Sequence, residues 1–182
     1  MRVIAGAFKG RRLGTPDWEG VRPTSDKLRE TLFNILAPRI AGARVLDGFA
    51  GTGAIGIEAL SRGAAHVTFV DADRRAVALV AQNLAACDID GGFAVHRGDV
   101  ALVLAGLPAG DAFELIVLDP PYDAASTTTA LEAAAVRLVP DGLLVLERAT
   151  RREPDIPASL TRIRDVRSGD SSLTFLGRTH AL

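Results

Sequence analysis

The apolar positions of this chain change rhythm along its length. From Ala43 onward, short continuous apolar runs alternate with stretches in which apolar residues recur every three to four positions. The continuous runs predict strands buried on both faces, at 44–47, 66–71, 93–97, 114–118 and 142–147. The recurring spacing predicts helices at about 53–62, 73–86, 99–105 and 124–139. In the second of these, Val77, Val80, Ala81 and Leu84 share a face and Asp73 is placed to cap. Such alternation predicts an α/β fold, a mostly parallel sheet covered by helices, with ligands at the carboxyl ends of the strands.

The two ends depart from this rhythm. Met1 to Leu13 alternates loosely, and Gly6 and Gly10 predict a small β-hairpin with basic side chains on one face. Thr15 to Pro23 reads as a loop. Thr24 or Ser25 caps a helix predicted to run to about Leu36, with Leu28, Leu32, Ile35 and Leu36 on its apolar face and Pro38 as its stop. Near the C-terminus, 160–178 holds two strand-like runs around Ser168-Gly169-Asp170, which predicts an antiparallel edge. No internal repeat or heptad interrupts the pattern. The expectation is a single domain over 1–182, a basic hairpin and loop (1–23) preceding a core (24–182).

Composition adds exclusions. A chain of 182 residues, 48% hydrophobic and 24% charged, suits one globular domain. No run approaches the roughly 18 apolar residues of a membrane span. Met-Arg-Val-Ile-Ala-Gly lacks the apolar core of a signal peptide, so a cytoplasmic protein is expected. Cys87 stands alone, which excludes an internal disulfide and a thiolate zinc site. His66, His96 and His180 have no metal-ligand spacing, and no metal is expected. The net charge of −1 hides an uneven distribution. Residues 1–29 hold seven Lys/Arg against three acids and residues 148–167 six against three, while 30–147 holds seven against fifteen. Positive ends around an acidic centre fit a polyanionic partner, although solvated surface charge would look the same.

The candidate chemistry gathers in two places. In Val45 to Leu60 an apolar strand turns through Gly51, Gly53 and Gly56 into a helix, the spacing of a nucleotide-binding turn whose bare N–H groups a ligand can approach. Asp71 ends the next strand, at the distance of a ribose-binding carboxylate. Asp47, at the mouth of the turn, would oppose a pyrophosphate and attract the ammonium and sulfonium of S-adenosylmethionine. A cap on its own turn is the plainer role for it. The second place is Asp119-Pro120-Pro121-Tyr122, directly after the fourth strand and hence at the same sheet edge. Two prolines fix the backbone, so the Asp119 carboxylate and the Pro120 carbonyl can grip both hydrogens of an exocyclic amino group. Tyr122 offers a ring on which a flipped base can stack. Positioning and electrostatics would then direct the nitrogen lone pair at a methyl donor without a strong base.

Asp47-Gly48-Phe49-Ala50-Gly51-Thr52-Gly53 with Asp119-Pro120-Pro121-Tyr122 resembles the amino-group branch of the S-adenosylmethionine-dependent methyltransferases. Arg22-Pro23-Thr24-Ser25-Asp26, Leu32-Phe33-Asn34-Ile35-Leu36, Ile4-Ala5-Gly6 and Lys9-Gly10 narrow the resemblance to the RsmD family, bacterial enzymes acting on guanine N2 of small-subunit (16S) ribosomal RNA. The similarity runs through Gly169-Asp170 and Leu173-Thr174-Phe175-Leu176, so it spans the chain. Gly48 departs from the family, which more often has a bulkier apolar residue there.

The resemblance implies a Rossmann-like class I methyltransferase fold, a seven-stranded sheet with an antiparallel C-terminal edge and a small N-terminal hairpin. It implies S-adenosylmethionine as cofactor, S-adenosylhomocysteine as product and no metal. Asp47, Phe49, Ala50, Gly51 and Gly53 would hold the methionine part, Asp71 the ribose and Asp99 the adenine amino group, although Asp99 equally suits a helix N-cap. Asp119, Pro120, Pro121 and Tyr122 would carry catalysis, while Lys9, Arg11, Arg12 and Arg22 would contact RNA. The implied partner is small-subunit ribosomal RNA within the assembled or assembling subunit, met by a monomer. Asn83, His96 and Glu147 read as structural. A methyltransferase of adenine amino groups shares the tetrapeptide. A nicotinamide-dependent oxidoreductase shares the glycine spacing but leaves the tetrapeptide idle, and an inactive RNA-binding module leaves the donor site unexplained.

Overall fold

Strands apolar on both sides need cover on both faces, and the chain supplies it with two helical layers. The computed structural model of the protein describes residues 1–16, 18, 26–121 and 124–179. In chain order the elements are α1 (Asp26–Ile40), β1 (Arg44–Gly48), α2 (Ala54–Ser61), β2 (His66–Asp71), α3 (Arg74–Ala86) and β3 (Phe93–Arg97). They continue with α4 (Val100–Gly106), β4 (Phe113–Leu118), α5 (Ala124–Arg137), β5 (Leu138–Ala149), β6 (Leu160–Ser168) and β7 (Ser171–Arg178). The seven strands form one sheet in the order β3-β2-β1-β4-β5-β7-β6. The first five are mutually parallel, and β7 and β6 close the far side antiparallel, as the sequence pattern predicts.

Alternation along each strand divides the core in two. Val45, Val67, Phe69, Leu115, Val117, Val145 and Phe175 pack with the apolar faces of α1, α2 and α3. Leu46, Val70, Ile116, Leu118, Leu144 and Leu146 pack with α4 and α5. On the first face α2 lies so near the sheet that a Cβ on Gly56 would stand 2.2 Å from the Phe69 ring. Glycine there lets the helix start close against β2.

Two predicted features differ. Pro38 does not stop α1, which continues to Ile40. The bond a proline forfeits would run to the Asn34 carbonyl, and Asn34 is exposed, so that acceptor is open to solvent and its loss costs little. Burial of Ile40 and a bond from Arg39 Nη1 to the Asp141 carbonyl (2.8 Å) hold the last turn. The predicted start of this helix at Thr24 or Ser25 lies outside the described residues.

The N-terminal hairpin is also less than predicted. It is reduced to one antiparallel bridge between Arg2 and Arg12, with Val3 N–H bonding Arg11 O and Leu13 N–H bonding Met1 O. Gly10 N–H also bonds Val3 O, and Lys9 and Arg11 N–H close the tip on Gly6 O and Phe8 O, while four other donors turn away to α2. Ile4 and Ala5 N–H donate to the fully buried Glu58 carboxylate at 2.7 and 3.0 Å. Phe8 N–H donates to Ser61 Oγ and Ala7 N–H to Ser61 O. Arg62 Nε meets Glu58 at 2.7 Å, and the fully buried Arg29 reaches the Arg2 carbonyl at 2.6 Å. Residues 1–13 thus form a strap across α2, its backbone satisfied partly by its own tight turn and partly by Glu58 and Ser61 of the helix.

Gly6 and Gly10 separate the parts of this design. Both have φ near +85°, but a Cβ on Gly6 would stand 1.8 Å from Ser61 O, whereas Gly10 faces open space. Gly10→Ala should cost about 1 kcal/mol of unfolding free energy, the strain of the left-handed backbone alone. Gly6→Ala should cost about 3 kcal/mol or more, because the strap must lift from α2. Urea unfolding of both variants measures the difference, and equal losses would contradict the tight crossing at Ser61.

Candidate active site at the carboxyl edge of the sheet

Beyond Gly48 the chain turns through Phe49 (φ 61°), Gly51 (φ 54°) and Gly53 (φ 73°) before α2 begins. Phe49 adopts the left-handed region without being glycine, a local strain of the kind that collects at functional turns. Three side chains hold the turn. Asp47 is 3% exposed and its Oδ2 accepts the Gly56 N–H at 2.8 Å, tying β1 to the first turn of α2. Asp71 accepts the Gly51 N–H (2.8 Å) through one oxygen and the Asp73 N–H (2.9 Å) through the other. Asn83 accepts the Gly14 N–H at 2.7 Å and donates to the Thr52 carbonyl at 2.8 Å. Its structural reading acquires a definite content: it braces the turn against the end of the strap. At Gly48 a Cβ would stand 2.5 Å from a methyl of Leu118, so Leu118 fills the space of a larger residue.

Parallel register and period-2 alternation place further carboxylates in the same row. Asp47 lies opposite Phe69 on β2 and Val117 on β4, so Asp71 and Asp119 follow two residues further along on the same face. Leu118 pairs with Leu146, which puts Glu147 beside Asp119 on the next strand. The face carries Asp71, Asp47, Asp119 and Glu147 across β2, β1, β4 and β5. The Asp119 N–H bonds the Gly48 carbonyl at 3.3 Å, so the tetrapeptide starts against the glycine turn. Asp119 and Pro120 are half-buried and Pro121 is exposed, while Tyr122 lies outside the described residues.

Crowding of carboxylates under partial burial shifts their protonation. Burial, opposed by the Gly56 hydrogen bond and helped by Asp71, pushes Asp47 up to about 7. Burial first, then the charges of Glu147 and Asp47, raises Asp119 well above the ordinary carboxylate range. Such an edge welcomes positive charge and opposes a pyrophosphate.

Other candidates are separated from this row. Asp99 is exposed at the adjoining end of β3, where it caps α4 by accepting the Leu102 N–H at 3.1 Å. The basic strap residues are not gathered at the edge. The strap tip meets Ser61 at the far end of α2, about 12 Å from the glycine turn at 1.5 Å per residue. Arg11 pairs with Asp88 beyond the end of α3, while Lys9 and Arg12 are exposed and Arg22 lies outside the described residues. Among the described residues no group of three or more His, Cys, Asp or Glu could hold a metal ion, and no helix is long and apolar enough to cross a membrane. Glu147, read as structural from the sequence, lies beside Asp119 in this row. Its signal was its position at the end of the strand beside Asp119.

Residues 1–177 match the model of the family described as conserved hypothetical protein 95. The chain belongs to that family, the RsmD family. It is 34% identical over 172 residues to the ribosomal RNA small subunit methyltransferase D of Haemophilus influenzae, covering 93% of this chain and 89% of that one. The protein of the same name from Escherichia coli K12 is 41% identical over 122 residues, 67% of this chain and 60% of that one. Among solved structures, Escherichia coli yhhF, described as a candidate methyltransferase, superposes with a TM-score of 0.86 and 32% identity over 100% of this chain and 99% of that one. The fold of this RsmD-family protein is that of the class I methyltransferases, including the antiparallel edge.

The raised Asp47 gives a pH dependence with a fixed sign. A carboxyl that holds its proton more tightly folded than unfolded stabilises the fold below about 4, and this contribution is lost as pH rises towards about 7. Asp47→Asn keeps an oxygen to accept the Gly56 N–H and carries no charge. Relative to the wild type it should gain stability with rising pH, reaching about 2–4 kcal/mol by pH 8. Paired urea titrations at pH 5 and pH 8 measure this gain, and a pH-independent difference would contradict it.

Proposed function

We propose that this chain transfers a methyl group from S-adenosylmethionine to the exocyclic N2 amino group of a guanine in small-subunit ribosomal RNA. The observation that carries the reading is the contact of the glycine turn with the tetrapeptide, Gly48 O against Asp119 N–H, in a row of carboxylates two of which are raised by crowding and burial. That row suits a donor bearing a sulfonium and an ammonium. When bound, S-adenosylmethionine supplies an activated methyl group on a positively charged sulfur. Asp47 and the turn from Phe49 through Ala50 and Gly51 to Gly53 would hold its methionine part, Asp71 the ribose hydroxyls and Asp99 the adenine amino group. Asp71 is oriented by the Gly51 and Asp73 N–H groups.

On the acceptor side, the Asp119 carboxylate and the Pro120 carbonyl accept the two hydrogens of the amino group. This favours a pyramidal nitrogen with its lone pair aimed across the edge, and positioning carries most of the rate. Pro121 stiffens the segment, and Tyr122 stacks on the extruded base. The relatives' names, small-subunit ribosomal RNA methyltransferases, support the RNA class, and the guanine amino group follows from the resemblance. The expected substrate is an accessible loop guanine in the assembled or assembling subunit, because a base inside a helix resists extrusion. Lys9, Arg12 and Arg22, with Arg11 on exchange of its Asp88 partner, contact phosphates away from the reacting atoms.

Tritium from labelled S-adenosylmethionine should appear in N2-methylguanosine after digestion of small-subunit RNA. Label in methyladenosine or methylcytidine would overturn the guanine assignment. Asp119→Ala should lower turnover about 10²–10³-fold with cofactor affinity near that of the wild type, and Asp119→Asn should lose less. A cofactor affinity that falls in step with turnover would count against its acceptor-side role. Replacing Lys9, Arg11 and Arg12 together by Ala should weaken RNA binding and flatten its salt dependence by up to about three phosphate contacts. An unchanged slope would make these side chains surface charge only.

A further inference from the structure

Beside Asp119 stands a second carboxylate whose position has chemical consequences. Leu118 and Leu146 are paired on the parallel strands β4 and β5, so Asp119 and Glu147 follow side by side, roughly 4.8 Å apart at the backbone. Alternation turns both toward the face that carries Asp47, because Val117 and Val145 share that layer of the core. Arg148, the next residue, turns to the opposite face, where it bonds Thr174 Oγ1 at 2.8 Å and pairs with Asp165 and Glu153. Glu147 is half-buried and is the foremost charge acting on the Asp119 carboxyl. The acceptor side of the edge therefore presents two carboxylates side by side, and neighbouring acceptors recognise neighbouring donors.

Guanine and adenine differ in that respect. On the Watson–Crick edge of guanine the amino group at C2 is flanked by N1–H, a donor. On adenine the amino group at C6 is flanked by N1 as a bare acceptor. We propose that Glu147 accepts the N1–H of the target guanine while Asp119 and the Pro120 carbonyl hold the N2 amino group, so that Glu147 makes the site select guanine over adenine. The inference rests on the guanine-N2 reading of the site. An adenine whose amino group occupied Asp119 would set the N1 lone pair against the Glu147 carboxylate, leaving two acceptors facing each other without a proton.

The probe is 2-aminopurine, which keeps the amino group at C2 but has an unprotonated N1. It is placed in small-subunit RNA at the nucleotide that mass spectrometry finds methylated, and transfer from labelled S-adenosylmethionine is compared with that to guanine. The wild type should methylate 2-aminopurine at least about 10²-fold more slowly, as a site built for an N–H rejects a base lacking it. Glu147→Gln can donate its amide hydrogen to the bare N1. It should slow guanine and quicken 2-aminopurine, narrowing the ratio about tenfold or more at unchanged cofactor affinity. An equal ratio in the two proteins overturns the role of Glu147 and leaves guanine-N2 methylation standing. So does a wild type that accepts both bases at equal rates, and this outcome needs no variant to fold. A wild type that labels no RNA guanine overturns the guanine reading itself, and the proposal with it.

Discussion

A buried carboxylate with one hydrogen bond sets the geometry on which the rest of this protein depends. Asp47 lies at the end of the central strand β1, closed to solvent, and accepts the Gly56 N–H from the first turn of α2. That bond fixes where the helix begins, and with it the path of Phe49 to Gly53. Burying a carboxyl is costly when it is charged, and here neutrality costs less, so Asp47 is pushed up to about 7. The same crowding acts on Asp119, to which Glu147 and Asp47 both contribute. The edge thus stores an unmet demand for positive charge, which a cationic methyl donor would relieve. Electrostatics of this kind collect at functional sites, where a ligand can relieve them.

Around this edge the strap and the helices act as a rigid frame. Glu58 and Ser61, on the buried side of α2, bind the strap through four backbone N–H groups, and Asn83 carries the connection from Gly14 to the Thr52 carbonyl. A turn that must present its backbone to a ligand has few side chains of its own to hold it. The bracing therefore comes from residues distant in sequence. The strap also sets where its basic residues project, with its base beside the turn and its tip a helix length away.

Much of this was legible because local rules decide it. Continuous apolar runs at Val67–Val70 and Leu115–Leu118 can only be doubly covered strands, and once they are parallel, Asp47, Asp71 and Asp119 must share an edge. The remainder depends on partners far away in the chain. Glu58 reads as an ordinary helix-surface acid, and Arg29 as one more basic residue near the N-terminus. Both are fully buried, because the strap comes back over them, and periodicity carries no sign of that contact. Pro38 misleads for a related reason: Ile40, four residues beyond the expected end of α1, is anchored in the core. Glu147 read as structural, since its place beside Asp119 appears only when β5 is laid beside β4 in register.

The central claim, that a buried carboxyl whose proton is held more tightly than usual stands ready for a cationic ligand, is tested most directly at Asp47 itself. Carbon-13 nuclear magnetic resonance can follow the titration of its side-chain carboxyl in the free protein and at saturating S-adenosylmethionine. Asp71 on β2 and Asp119 on β4 are the charges facing it. The account predicts a midpoint near 7 in the free protein, falling by at least about one unit when the cofactor is bound. A free-protein midpoint near the ordinary aspartate value of about 4, or one that the cofactor leaves unmoved, would contradict it.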